Sequence, residues 1–214
     1  MKKLILILAS TFLMASNLSA QIDNGSDNRD HLRFGVKAGM NLSNMYDSDN
    51  QEYNADAKLG FVGGAFISIP IVGKFIGIQP EVLFSQKGFK ATTSNILGNF
   101  SFTRTTNYLD IPIFLAFKPI ENLTLLAGPQ YSYLFKQTDN FKTPISDNTI
   151  EQDFENENIR KNTFSLALGA DLNFNNFVLG VRAGWDITNN NGNGTSDTPR
   201  YKNVWGGLTV GFRL

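Results

Sequence analysis

The sequence contains no cysteine. Disulfides, thiolate nucleophiles, cysteine-ligated zinc and acylated cysteine anchors are therefore excluded. It has one histidine, His31. That removes most histidine-based metal sites and weakens any Ser-His-Asp arrangement. Charge of neither sign prevails, with 19 Lys and Arg against 19 Asp and Glu. Nothing in that balance points to nucleic acid or an acidic substrate. After Ala20 the chain never becomes apolar for long enough to cross a bilayer as a helix, which takes about 18 residues or more. No cofactor is expected from these residues.

The N-terminus has a different character. Lys2 and Lys3 precede the apolar stretch LILILASTFLMA, Leu4 to Ala15, and SNLSA follows. A basic start, a short apolar centre and small residues before a cleavage point describe an export signal. We read residues 1–20 as that signal and 21–33 as a polar periplasmic tail. Residues 34–214 then form a single domain. An exported chain without cysteine or a membrane helix is either a soluble envelope or secreted protein or an outer-membrane barrel.

From Phe34 onward the apolar period is two, which is the strand period. Eight alternating runs can be drawn: Phe34–Leu42, Leu59–Ile69, Phe75–Lys90, Phe100–Phe117, Leu123–Gln137, Ile159–Phe174, Phe177–Asn189 and Tyr201–Leu214. Most are longer than the ~5–6 residues usual in globular strands and fit the ~9–11 of a tilted membrane strand. The connections PIVGK, KPIEN and NN after the second, fourth and sixth runs are tight. Those after the first, third, fifth and seventh are longer and polar. Short turns at one end and long loops at the other predict an eight-stranded antiparallel up-and-down transmembrane β-barrel with both termini on the periplasmic side.

The two faces differ in size as well as polarity. In the seventh run Phe177, Leu179, Val181, Ala183, Trp185 and Ile187 oppose Gly180, Arg182, Gly184, Asp186 and Thr188. A lumen bounded by eight strands is only wide enough for its own side chains, and small residues mixed with a few charges suit it. A soluble lipocalin-like barrel, the alternative weighed here, would carry lysine and glutamate outside rather than glycine. Tyr131, Tyr133, Phe135 and Trp185 are placed for an interfacial girdle. In NYLDIPIFLAFKP, Asn107 to Pro119, the residues Leu109 to Phe117 read as lipid-facing and Asp110 as luminal. Pro112 is awkward there, because it removes a ladder donor, and a bulge is the expected remedy. Phe100, Phe102 and Trp205 fall on the polar face unless a bulge resets the phase.

The inward set includes Lys37, Glu81, Asp110, Asp171, Arg182 and Arg213. We expect one charge-balanced network that fills the lumen, rather than a gate or a catalytic carboxylate pair. His31 is expected on the surface. The acidic segment 138–158 is expected to be a solvated loop, since its carboxylates lack EF-hand spacing.

GIQPEVLFSQKG (Gly77 to Gly88), NYLDIPIFLAFKP and LLAGPQYSYLF (Leu125 to Phe135) together resemble the porin-family, PorT-like outer-membrane β-barrel domain. Gln79, Pro80, Glu81, Tyr108, Asp110, Pro112, Gly128 and Pro129 fall on its motif positions. The resemblance implies an outer-membrane location, eight strands and no catalytic residues. It also implies, for a few members, a part in a secretion and gliding apparatus. The expected partners are outer-membrane lipid and, through loops or the tail, extracellular ligands or envelope proteins, with no nucleic acid.

Overall fold

The computed structural model describes residues 31–47, 55–95, 98–142, 147–152, 160–190 and 201–214. Residues 1–30 lie outside these, and with them the expected signal and most of the tail. The strands are β1 (Arg33–Asp47), β2 (Asp56–Val72), β3 (Ile76–Asn95), β4 (Gly98–Ile120), β5 (Leu123–Lys142), β6 (Asp147–Gln152), β7 (Asn162–Phe174), β8 (Phe177–Asp186) and β9 (Tyr201–Arg213). Among the described residues there is no helix. Every pairing is antiparallel. Eight strands, all but β6, pair in sequence order and close into a ring through β1 and β9. The expected runs correspond to these eight.

Alternation sets which side chains enter the ring. In β8 every second residue is buried: Val178, Gly180, Arg182, Gly184 and Asp186. Phe177, Leu179, Val181, Ala183 and Trp185 point outward. Near the tight turns Phe34, Phe75, Phe117, Phe174, Phe177 and Phe212 are exposed, with Tyr133 and Trp185 exposed further up. From Phe177 to Trp185 the strand runs about 27 Å, which a tilt of roughly 40° reduces to about 20 Å. With the aromatic side chains beyond either end, the apolar band approaches the ~25 Å of an outer-membrane barrel. The tight turns rest on local chemistry: Gly73 (φ 50°) bends β2 into β3, and Asn175 (φ 52°) bends β7 into β8.

The structure corrects several expectations. The connection after the third run is strand on both sides, because β3 and β4 stay paired to Asn95↔Gly98 and β4 is 23 residues long. The segment 138–158 is partly strand: β5 continues to Lys142, and β6 pairs with it from Gln137↔Gln152 to Lys142↔Asp147. These four strands carry a sheet beyond the apolar band. Pro112 sits in no bulge. Its neighbours Leu83↔Asp110 and Pro80↔Ile113 keep one register, as do Pro112↔Gln130 and Leu115↔Ala127. The ladder loses bridges beside the prolines without sliding. A bulge lies instead at Phe135, between Tyr108↔Leu134 and Asn107↔Lys136. It leaves the β4 phase untouched, so Phe102 keeps the inward phase of Thr106, Tyr108 and Asp110.

Candidate functional site: a lumen filled by ion pairs

The lumen is built in layers. In the principal one, Lys37 Nζ donates to Glu81 Oε1 at 2.6 Å. Arg182 Nη2 reaches the same oxygen at 3.2 Å, and Arg182 Nη1 donates to Asp171 Oδ1 at 2.7 Å. Gln79 Nε2 donates to Glu81 Oε1 at 2.9 Å and to Asp171 Oδ2 at 3.3 Å. All five side chains are buried. Two cations and two anions cancel, which offsets the desolvation that an isolated buried charge would suffer. β3 and β8 face each other across the ring order, so Glu81–Arg182 ties opposite walls. The rings of Phe66 and Phe114 lie under Lys37 and Arg182 at 4.9 and 5.3 Å, geometries that favour the cations further.

Glycine makes room for this layer. A Cβ at Gly169 would lie 2.5 Å from Arg182 Cδ, and one at Gly180 would lie 2.8 Å from Asp171 Oδ1. The small inward face is thus the space in which the long ionic side chains lie.

The six expected residues do not form one network. Asp110 pairs with Lys87 at 2.9 Å, and the Lys87 ammonium lies 4.9 Å from the Tyr108 ring centre and 5.2 Å from that of Trp205. Trp205 is inward and buried, seated where a Cβ at Gly184 would come within 2.5 Å of it. Arg213, nearest the tight turns, donates to Asn173 Oδ1 at 2.8 Å. Strand height decides the separation: Lys87 stands three pleat repeats, about 20 Å, above Glu81 on β3 and meets Asp110 first across the β3–β4 ladder. Higher still, Asp186 accepts from Ser165 Oγ at 2.6 Å and from Asn203 Nδ2 at 2.7 Å. At the top Arg104 meets both oxygens of Asp139 at 2.8 Å among Phe89, Phe102 and Tyr201.

Lys87, Asp186, Arg104 and Asp139 were missing from the expected set. Lys87 shares the phase of Glu81, and Asp186 shares that of Arg182, so both were available to simple counting. Asp139 was not, because the Phe135 bulge reverses the count above it.

The motif residues are divided between charge and backbone. Gln79, Glu81, Tyr108 and Asp110 serve the ionic layers, and Pro112 is buried beside them. Pro80 and Pro129 are on the outward phase. Gly128 lets β5 approach β4 closely, since a Cβ there would collide with the Ile113 carbonyl oxygen.

Among the described residues two small voids occur: about 20 Å³ beside Glu81, Asp110 and Trp205, and about 30 Å³ beside Gln79, Lys118 and Thr124 near the tight turns. Each holds only a water or two. Among the described residues no cluster of three metal-ligating side chains occurs. Ser165 is bonded to a carboxylate with no imidazole near it, and His31 is exposed ahead of β1.

Residues 19–192 match the family described as outer membrane protein beta-barrel domain. The chain belongs to that family. It is an outer-membrane barrel, and the apolar face described above is its lipid face; the soluble lipocalin-like alternative is overturned. No curated protein matches the chain. Among solved structures it is similar to Ail of Yersinia pestis in complex with the heparin analogue sucrose octasulfate, at 15% identity and TM-score 0.45, covering 86% of this chain and 99% of that one. OprG from Pseudomonas aeruginosa gives 12% identity and TM-score 0.44, covering 88% and 99%. Neisserial surface protein A gives 12% and 0.41, covering 85% and 96%.

Proposed function

We propose that this outer-membrane barrel is a sealed, non-catalytic membrane element that works through contacts at its surface, chiefly on the sheet that β3, β4, β5 and β6 raise above the bilayer. The observation that carries this reading is the contrast between a lumen occupied by paired charges and strands that overshoot the apolar band. A strand needs only ~9–11 residues to cross, and β4 has 23. The lumen network is a structural plug. The full chain in planar bilayers should pass no steady current, and a stable ohmic conductance would refute the plug. Photo-cross-linkers placed at the exposed Asn148 of β6 should trap external ligands or surface partners on cells.

A second reading follows from the resemblance at Gln79, Pro80, Glu81, Tyr108 and Asp110 to PorT-like barrels: an accessory subunit of a secretion or gliding machine. In that case cross-links should come from the 21–33 tail and the tight turns, and those from Asn148 should be empty. N-terminal sequencing of the membrane-extracted protein should begin at Gln21, as expected of a signal covering residues 1–20.

A further inference from the structure

Above the apolar band the outward face of β3, β4 and β5 has a composition of its own. The ladder registers set it out in rows: Gln86, Asn107 and Lys136; then Gly88, Thr105 and Thr138; then Lys90, Thr103 and Asn140; then Thr92, Ser101 and Lys142. Lys90, Lys136 and Lys142 are exposed. None of these positions is a carboxylate or a large apolar residue, although soluble surfaces usually mix both signs of charge. The nearest acid outside the three-strand wall on the β2 side is Asp56, across from Lys90. On the other side β6 sets Asp147 across from Lys142 and Glu151 across from Thr138, so that Lys136 lies furthest from any carboxylate of the sheet.

The position of this face is as informative as its composition. It begins one step above Phe84, Leu109 and Tyr133, which are exposed on the lipid face, and it continues the same wall. In an outer-membrane barrel the long-strand end is extracellular. This wall therefore looks sideways, into the headgroup layer of the outer leaflet, rather than up into the medium. The Phe135 bulge sharpens the boundary, because it turns the register between an outward aromatic and outward Lys136.

We propose that the outward face of the β3–β5 extension docks on the phosphorylated sugar headgroups of the surrounding outer-leaflet glycolipid. Lysine ammonium groups meet phosphates there. Thr, Ser, Asn and Gln side chains both donate and accept hydrogen bonds, as sugar hydroxyls do. Strands about 4.8 Å apart, with same-face residues about 7 Å apart along each, give a flat grid on which an oligosaccharide can lie. The proposal rests on the outer-membrane location and does not depend on the plug or on any external partner.

The test uses the full mature chain refolded into phosphatidylcholine vesicles, and lipopolysaccharide titrated onto the purified barrel in neutral detergent. Folding in phosphatidylcholine checks the membrane assignment separately. Lipopolysaccharide should bind in a salt-sensitive way. Each near-surface lysine is worth about fivefold, so the triple variant K90Q/K136Q/K142Q should bind about a hundredfold more weakly while folding unchanged in phosphatidylcholine. Lys202→Gln, on β9 away from this wall, should change binding by about twofold or less. A second variant, T103V/T105V, keeps every charge; it should weaken lipopolysaccharide binding several-fold and leave binding to phosphatidylglycerol vesicles unchanged. Equal losses from Lys202→Gln and Lys90→Gln would overturn the proposal, because charge would then act diffusely. So would an unaffected triple variant, or tight binding of a free phosphorylated oligosaccharide with none of the membrane-anchored glycolipid.

Discussion

Two parts of one wall obey opposite rules. Within the apolar band the lumen holds Lys37, Glu81, Asp171 and Arg182, and the outside holds Leu, Val and Phe. Above it aromatics move to the interior, around the Arg104–Asp139 pair, and polar side chains take the outside. Phe89 and Tyr201 are buried within, Phe102 packs on Phe89 at 5.7 Å, and threonine, asparagine and lysine face outward. The backbone is the same and the strands are continuous. The surroundings change: acyl chains below accept apolar side chains, whereas water and headgroups above do not. Once lipid is gone, aromatic residues have only the interior in which to escape solvent. Phe102 on a nominally polar face is therefore a mark of the membrane boundary.

The contrast can be broken from either side. The largest effect is expected from Arg182→Ala, which strands Asp171 in the lumen, leaves Glu81 to Lys37 alone, and should cost about 3–5 kcal/mol. Urea unfolding in bilayers measures it, and a loss under about 1 kcal/mol would mean the quartet is not the plug's keystone. Next comes Phe89→Ala, at about 2–4 kcal/mol for a buried aromatic. Its damage should be local: proteolysis of the extension should quicken while the heat-shifted migration of the folded ring persists. Gly180→Leu should cost about 1–3 kcal/mol by overpacking against Asp171 and Thr209, and unfolding midpoints would show it. The smallest effect belongs to Arg104 and Asp139. Arg104 is 20% exposed, and a double-mutant cycle on the pair should return about 1 kcal/mol or less.

The eight runs and their phase were legible because a two-sided wall in lipid must alternate at nearly every residue. Gly180, Arg182 and Gly184 against Leu179, Val181 and Ala183 leave no other solution. The extension was not legible for the same reason. Ser94 and Asn99, or Thr138 and Asn140, are polar residues with polar neighbours in the sequence and look like loop until a partner strand is known. β6 hides among carboxylates, where composition argues against strand. The ionic layers were half visible. Parity finds who points inward, but it does not say which cation meets which anion, since that depends on height along staggered strands. Lys87 took Asp110 from the expected group in this way. One added residue at Phe135 was enough to conceal Asp139.

The ring is completed by β1 against β9, from Gly35↔Arg213 to Asp47↔Tyr201. These partners stand at nearly opposite extremes of the described chain, so their meeting carries the largest loop-closure entropy of any strand pair in the barrel. Until β9 arrives, β1 presents an open row of amide and carbonyl groups that hydrocarbon cannot satisfy. Insertion should therefore be an all-or-nothing event timed by the slowest strand to reach the bilayer, and a truncation that removes β9 should leave material trapped short of the membrane rather than a smaller cylinder.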